Sequence, residues 1–170
     1  MATSKRDTLI VGLRNAYGLE GQALSTMENV HSRLEHYPDL KAVLGQHIEE
    51  TRRQLLMVEQ LLNRFGETPS TLKEATMKLA ANVQAMFHSV AGDEVLKNLF
   101  TLYSFEHFEQ ASYRSLIAMA EDCGETEVIQ TCREILRQEE MAAQKLGQLI
   151  EPITKAYLQR EAAEGVKADR

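Results

Sequence analysis

Five glutamates and one histidine stand where a helical protein ordinarily keeps aliphatic side chains. In 102-LYSFEHFEQASYRSLI-117, Glu106 and Glu109 interrupt a stripe otherwise built from Leu102, Tyr103, Tyr113 and Leu116. Glu20, Glu50 and Glu139 interrupt comparable stripes elsewhere, and His47 sits one helical turn before Glu50 on the same face. A buried carboxylate is costly or becomes neutral through a raised pKa, and several at one level repel one another. Divalent or trivalent cations remove that objection, because carboxylates bridge two ions and an imidazole nitrogen fills a coordination position. Oxygen-rich donors with a little imidazole suit iron or manganese. A single glutamate on a helix face is ordinarily a boundary residue with a packed stem and a solvated head. The chemistry therefore depends on whether these residues converge.

The elements that must position them read as helices. Proline occurs only at Pro38, Pro69 and Pro152, good helix formers are plentiful, and long β-branched runs are absent. Apolar residues at three- and four-residue spacing predict a first helix over about 4–35 and, after the turn HYPDL, a second from Pro38 to near Gly66. The segment 66-GETPSTLK-73 reads as a loop with an N-cap at Ser70, followed by a shorter amphipathic helix to about Val90. A third long helix restarts near Asp93 and stops at 121-EDCGE-125, where Gly124 suits a left-handed turn. A fourth begins near Thr126, with Pro152 expected to kink or interrupt it and the charged tail after Leu158 expected to fray. Two hairpins joined by a connection carrying its own short helix describe an all-α, ferritin-like four-helix bundle with one long crossover.

In antiparallel hairpins sequence distance from the turn measures height, since each helical residue rises about 1.5 Å. Glu20 lies 16 residues before His36 and Glu50 lies 14 after it. Glu106 and Glu109 lie 17 and 14 residues before Cys123, and Glu139 lies 16 after it. The heights match on all four helices. Glu139 follows Leu136 and precedes Ala143 on the apolar face, whereas Glu140 falls beside Arg137 and Gln144, which favours Glu139 as the inward residue. Glu50 is favoured over Glu49, which sits with Arg52 and Arg53. His47 reads either as a ligand or as a hydrogen-bonded neighbour. His107 is turned by about 100° from Glu106 and suits a supporting or surface role. Tyr17, Tyr103 and Tyr113 have the reach to give a hydroxyl to a ligating carboxylate, although packing alone accounts for tyrosines in helix cores. The strings 17-YGLE-20 and 103-YSFE-106 hint at a duplicated half-bundle.

Composition removes other classes. The net charge is −6 with no basic tract, which argues against nucleic acid as a partner. No apolar run approaches the ~20 residues of a membrane span and the N-terminus lacks a signal-type apolar stretch, so a cytoplasmic location is expected. Cys123 and Cys132 form no CxxC and read as free thiols. There is no Gly-rich phosphate loop, no GxSxG and no HExxH.

The strings 17-YGLEGQAL-24, 47-HIEETRRQ-54, 105-FEHFEQASY-113 and 139-EEMAAQKL-146 resemble signature segments of the bacterial YciE/YciF stress-protein family, within the ferritin-like superfamily. The resemblance spans about residues 7–150. It implies a four-helix bundle with a shorter fifth helix, a di-iron site, a homodimer, and expression linked to stress with no settled reaction. Carried residue by residue, it points to Glu20, His47, Glu50, Glu106, Glu109 and Glu139 as metal ligands; independently of the resemblance, position makes Tyr17, Tyr103, His107, Tyr113 and Glu140 the candidate supporting residues. The wider superfamily often uses Glu-x-x-His on the second helix of each hairpin, and here Glu50 is followed at that spacing by Arg53 and Glu139 by Ala142. His47 and the extra carboxylate Glu109 stand as the replacements. No rubredoxin-type cysteine set is present, so any redox cycle needs an external electron donor. The expectation is thus one domain over residues 1–170, with its core at about 5–150. It would hold two iron ions, or manganese or a mixed pair, for Fe(II) oxidation or reduction of peroxide or dioxygen. The competing reading is an interaction bundle with a purely structural metal or none.

Overall fold

The computed structural model describes residues 4–68 and 94–163. Within them the chain forms four long helices, α1 (Lys5–Arg33), α2 (Pro38–Arg64), α3 (Glu94–Cys123) and α4 (Thr126–Glu161). The short crossover helix expected over residues 70–90 lies outside the described residues. Local chemistry explains the boundaries. Ser4 and Asp7 form a reciprocal capping box, each side chain accepting the other's backbone N–H at 3.1 Å, which satisfies two of the orphan donors at the start of α1. Pro38 begins α2, where its missing N–H costs nothing, and Asp39 faces the positive end of the helix dipole. Gly66 and Gly124, at φ of 82° and 71°, turn the chain after α2 and α3 in a conformation that penalises any Cβ.

Ion pairs at the helix ends report the direction of each helix. Arg33 meets Glu94 at 2.6 Å, so α1 ends where α3 begins, while Lys5 meets Asp122 at 2.7 Å at the opposite end. Arg64 meets Glu127 at 2.5 Å, placing the end of α2 at the start of α4. These pairs are partly or largely exposed and add little stability, but they fix the topology. Helices α1 and α4 each pack against both α2 and α3. The consecutive helices α2 and α3 therefore run the same way across the bundle diagonal, which is the order of a bundle with one long crossover.

The apolar core is divided. One cluster gathers Leu19, Met27, Leu40, Leu44, Leu99, Leu102 and Leu146 toward the α1–α2 turn. The other gathers Leu9, Leu13, Val58, Leu61, Leu116, Val128, Cys132 and Ile135 toward the α3–α4 turn. On three helices the break between clusters falls at polar residues, Thr51 and Gln54 on α2, Glu106 through Gln110 on α3 and Glu139 on α4, and on α1 Glu20 follows directly after the break between Tyr17 and Leu19. A buried polar layer thus crosses the middle of the bundle.

One boundary corrects the sequence reading. Helix α4 is not interrupted at Pro152 and continues to Glu161, while most of the tail expected to fray lies outside the described residues. Pro152 and Gln148 are both exposed, so the backbone bond that proline cannot donate is lost on the solvent side of the helix, while Ile153 is buried and Tyr157 packs against the first apolar cluster. Packing beyond the proline offsets the lost hydrogen bond. No helix of the described residues is long and apolar enough to cross a membrane.

Truncating the fully buried Leu99 to alanine should cost about 2–5 kcal/mol of unfolding free energy. Phe100→Ala, at the adjacent exposed position, should stay within about 0.5 kcal/mol of the parent. Urea titrations of the two variants check the assignment of the α3 faces.

Candidate metal centre

Each helix contributes to the mid-bundle layer by its 3.6-residue period. On α2, His47, Thr51 and Gln54 recur at four- and three-residue spacing and are all buried. On α3, Glu106, Glu109, Gln110 and Tyr113 do the same, and Glu20 and Glu139 arrive singly from α1 and α4. Glu20, Glu106, Glu109 and Glu139 are each 1% exposed and His47 4%.

The imidazole of His47 is central. Its Nε2 lies 3.0 Å from Glu106 Oε2 and 3.8 Å from Glu139 Oε2, and its Nδ1 lies 3.4 Å from Glu50 Oε2. The contact with Glu106 has the distance of an ion pair but not the alignment of a hydrogen bond, so both atoms remain without a hydrogen-bond partner. One ligand atom each from His47, Glu106 and Glu139 lies within 4.8 Å of the others, a spacing able to hold a metal ion. Two carboxylates are clamped by one oxygen and left open at the other. The Tyr113 hydroxyl donates to Glu20 Oε1, and Gln54 Nε2 donates to Glu139 Oε1 at 2.5 Å. Glu20 Oε2, Glu139 Oε2 and Glu109 Oε1 have no partner.

The electrostatics follow from that burial. Desolvation pushes Glu20 up to about 7, against the opposing hydrogen bond from Tyr113. Burial, then repulsion from the neighbouring glutamates, holds Glu109 and Glu139 well above the usual carboxylate range. Burial pulls His47 down, but Glu106 and Glu50 on either side outweigh it and hold the ring well above its ordinary value. The His47 hydrogen bond keeps Glu50 below the usual range.

Of the six ligands expected from sequence, five are buried in the layer. The sixth, Glu50, stands at its rim with its side chain 21% exposed, touching the layer through His47. Among the supporting candidates, the structure brings Tyr113 alone into hydrogen-bond contact with the layer. Tyr17 is half-buried and is influenced by burial and by Glu59. Tyr103 turns toward α4, over Gly147, and meets the exposed His107 edge to face at 4.6 Å. Glu140 is exposed and pairs with Arg114 at 2.7 Å. A step of one residue turns a side chain by about 100°, enough to carry Glu140 and His107 out of the layer that Glu139 and Glu106 occupy. Two contributors were not assigned a role from sequence. Gln54, visible only as a polar interruption of its stripe, clamps Glu139 and also donates to Gln138 at 3.0 Å. Gln110, four residues after Glu106, donates to the Glu139 carbonyl at 3.4 Å.

Four helices in this order, with a carboxylate and histidine layer between two apolar cores, define a ferritin-like bundle with a candidate metal centre. The chain belongs to the family described as Domain of unknown function (DUF892), whose model matches residues 4–159. The likeness to YciE/YciF proteins holds. Among solved structures, a protein of Xanthomonas campestris pv. campestris is 36% identical, over 94% of this chain and 99% of that one, with a TM-score of 0.78. The Escherichia coli stress protein YciF is 23% identical over 88% of this chain and 96% of its own, with a TM-score of 0.68. A dodecameric thioferritin, the bacterioferritin-related protein of Bacteroides fragilis, is 16% identical over 92% and 91%, with a TM-score of 0.71. The last two likenesses bear on the fold.

The raised carboxylates make the stability of metal-free protein pH-dependent. Glu20 binds its proton more tightly folded, at about 7, than unfolded, at 4.5, so its contribution is present at low pH and is lost as pH rises toward 7. Glu109, Glu139 and His47 act in the same direction. Metal-free protein should therefore be more stable at pH 5.5 than at pH 7.5, by about 2 kcal/mol from Glu20 alone. Denaturant titrations in chelator at the two pH values measure this, and equal or greater stability at the higher pH would refute it.

Proposed function

We propose that the protein is a dimetal carboxylate protein in which Glu20, His47, Glu50, Glu106, Glu109 and Glu139 hold two iron ions. Its role would be protection under stress through Fe(II) oxidation or reduction of peroxide or dioxygen. The observation that carries this reading is the set of five buried atoms without a hydrogen-bond partner: Glu20 Oε2, His47 Nε2, Glu106 Oε2, Glu109 Oε1 and Glu139 Oε2. Buried polar atoms are almost always partnered, and five orphans from four helices at one level fit cations better than they fit packing. The charge count favours two ions over one. The five candidate carboxylates against one divalent ion leave three uncompensated negative charges, and against two ions they leave one.

The chain's own residues prepare the site. Tyr113 and Gln54 each fix one oxygen of a carboxylate and leave the other free, which sets the ligand's direction without occupying it. Glu50 stands at Nδ1 of His47, so a proton kept on Nδ1 would leave the Nε2 lone pair free to ligate a cation on the side of Glu106 and Glu139. The two apolar cores above and below keep the layer dry and its electrostatics strong. Bound iron would supply one-electron redox chemistry toward dioxygen or peroxide, and manganese or a mixed pair fits the same donors. Burial pushes the Cys132 thiol up to about 12, which leaves it unreactive. Reducing equivalents would then come from an external donor.

Anaerobic titration should show two Fe(II) bound per chain, and admitting air should consume dioxygen as near-ultraviolet ferric absorbance rises. Binding without oxidation would favour a structural metal, and no binding would refute the proposal. Glu106→Gln should weaken Fe(II) binding by about 100-fold or more. Glu109→Gln should weaken metal binding while raising the stability of metal-free protein at pH 7.5, because it removes a buried acid whose ionisation is opposed by burial and by Glu20, Glu139 and Glu106.

A further inference from the structure

The buried layer meets solvent at Glu50, which is 21% exposed where the His47 side chain is 5% and that of Glu106 1%. Glu50 lies on α2 one turn after Gln46, and its carboxylate reaches inward to His47 Nδ1. Across from it on α4, Lys145 is half-buried and donates from Nζ to Gln46 Oε1 at 3.0 Å. The ammonium is thereby tied over the gap between α2 and α4, close enough to act on the Glu50 charge together with Arg53. We propose that cations reach the buried layer at Glu50 and that Lys145, held across this mouth by Gln46, sets the rate at which they enter. The inference rests on the metal-binding reading above.

The physical argument is a balance of fields. Glu50 at the rim attracts a divalent cation and leads directly to the His47 ring, whereas a fixed ammonium in the same gap repels a double charge at short range. Lys145 can withdraw without unfolding anything, because it has a long flexible stem and its hydrogen bond to Gln46 is to a surface amide. A competing route lies on the other side of α4. There an open groove of about 520 Å³ between α3 and α4 is lined by Tyr103, His107, Gln110, Gln144 and Gly147. Glu140, which also lines it, is paired across α3 and α4 with Arg114 at 2.7 Å, so the charge tied there is already neutralised, and the exposed Gln144 can be enlarged to plug the groove.

Stopped-flow mixing of the full chain with Co(II), followed by visible absorbance, separates these routes. Lys145→Gln should bind about three- to tenfold faster than the parent at low salt, and the advantage should fade in 0.5 M salt, on the order of a 4 Å screening length. Lys145→Arg, which keeps the charge, should behave like the parent, and Gln144→Trp should leave the rate unchanged. Equal rates for Lys145→Gln and the parent, or a rate advantage indifferent to salt, would overturn the inference. Slowing by Gln144→Trp would move the entrance to the α3–α4 groove and equally overturn it. Failure of the parent to bind Co(II) and Fe(II) would refute the metal-binding reading itself and this inference with it. Circular dichroism of each variant confirms that the bundle is intact.

Discussion

Four carboxylates and an imidazole cannot be taken out of water at one level of a bundle without a compensating charge or a retreat to neutral forms. The mid-bundle layer shows both responses. His47 gains protons from the company of Glu106 and Glu50, while Glu20, Glu109 and Glu139 hold theirs to higher pH than free glutamates do. Neither response completes the hydrogen bonding, since one oxygen of each of the four carboxylates and the His47 Nε2 are left over. A layer left incomplete in this way is unfavourable for folding and available for binding.

The rest of the bundle is arranged around that cost. Apolar clusters lie on both sides of the layer rather than through it, so the cohesion of the fold comes from the two ends. The helix order matters as much. Because α1 and α4 each touch α2 and α3, residues from all four helices share one interior at one height, which a simple pair of hairpins lying apart would not provide. Tyr113 and Gln54 then convert a loose set of acids into directed ones. Each is almost completely buried, so its own position is set by packing before it fixes the carboxylate beside it.

Much of this was legible in the sequence, for a reason that is geometric. A helix has a fixed rise and period, so an antiparallel hairpin turns residue numbers into heights and faces, and Glu20, Glu106, Glu109 and Glu139 could be placed on one level by counting. Counting is blind to what lies off the repeat. Gln54 and Gln110 carry amides, which occur as readily on a solvated face, and nothing local distinguishes a buried clamp from a surface residue. Tyr103 shares the spacing of Tyr17 in the apparent repeat, yet its ring turns outward to cover Gly147 because the absent Cβ leaves room there. The helix runs through Pro152 uninterrupted because proline's local effect, evident in sequence, is offset by the burial of Ile153, which is tertiary. Glu50 lies on the expected face but at its rim, since a helix face has a centre and a rim that periodicity alone does not separate.

The two halves of the bundle are alike in frame and unlike in chemistry. Setting 17-YGLE-20 over 103-YSFE-106 pairs Glu20 with Glu106 but sets Ala23 against Glu109, and pairing Glu50 with Glu139 sets His47 against Leu136. The added histidine lies on α2 and the added carboxylate on α3, the two helices that face each other across the diagonal. A second histidine in place of Leu136 would have balanced the layer by adding positive charge to the other hairpin. Glu109 instead adds a fourth fully buried carboxylate beside Glu20, and so increases the charge that a proton or a cation must neutralise. The asymmetry therefore makes the metal-free layer less favourable on the side that lacks a histidine. Of all the residues in the layer, Glu109 is the hardest to explain as a contribution to the stability of the fold.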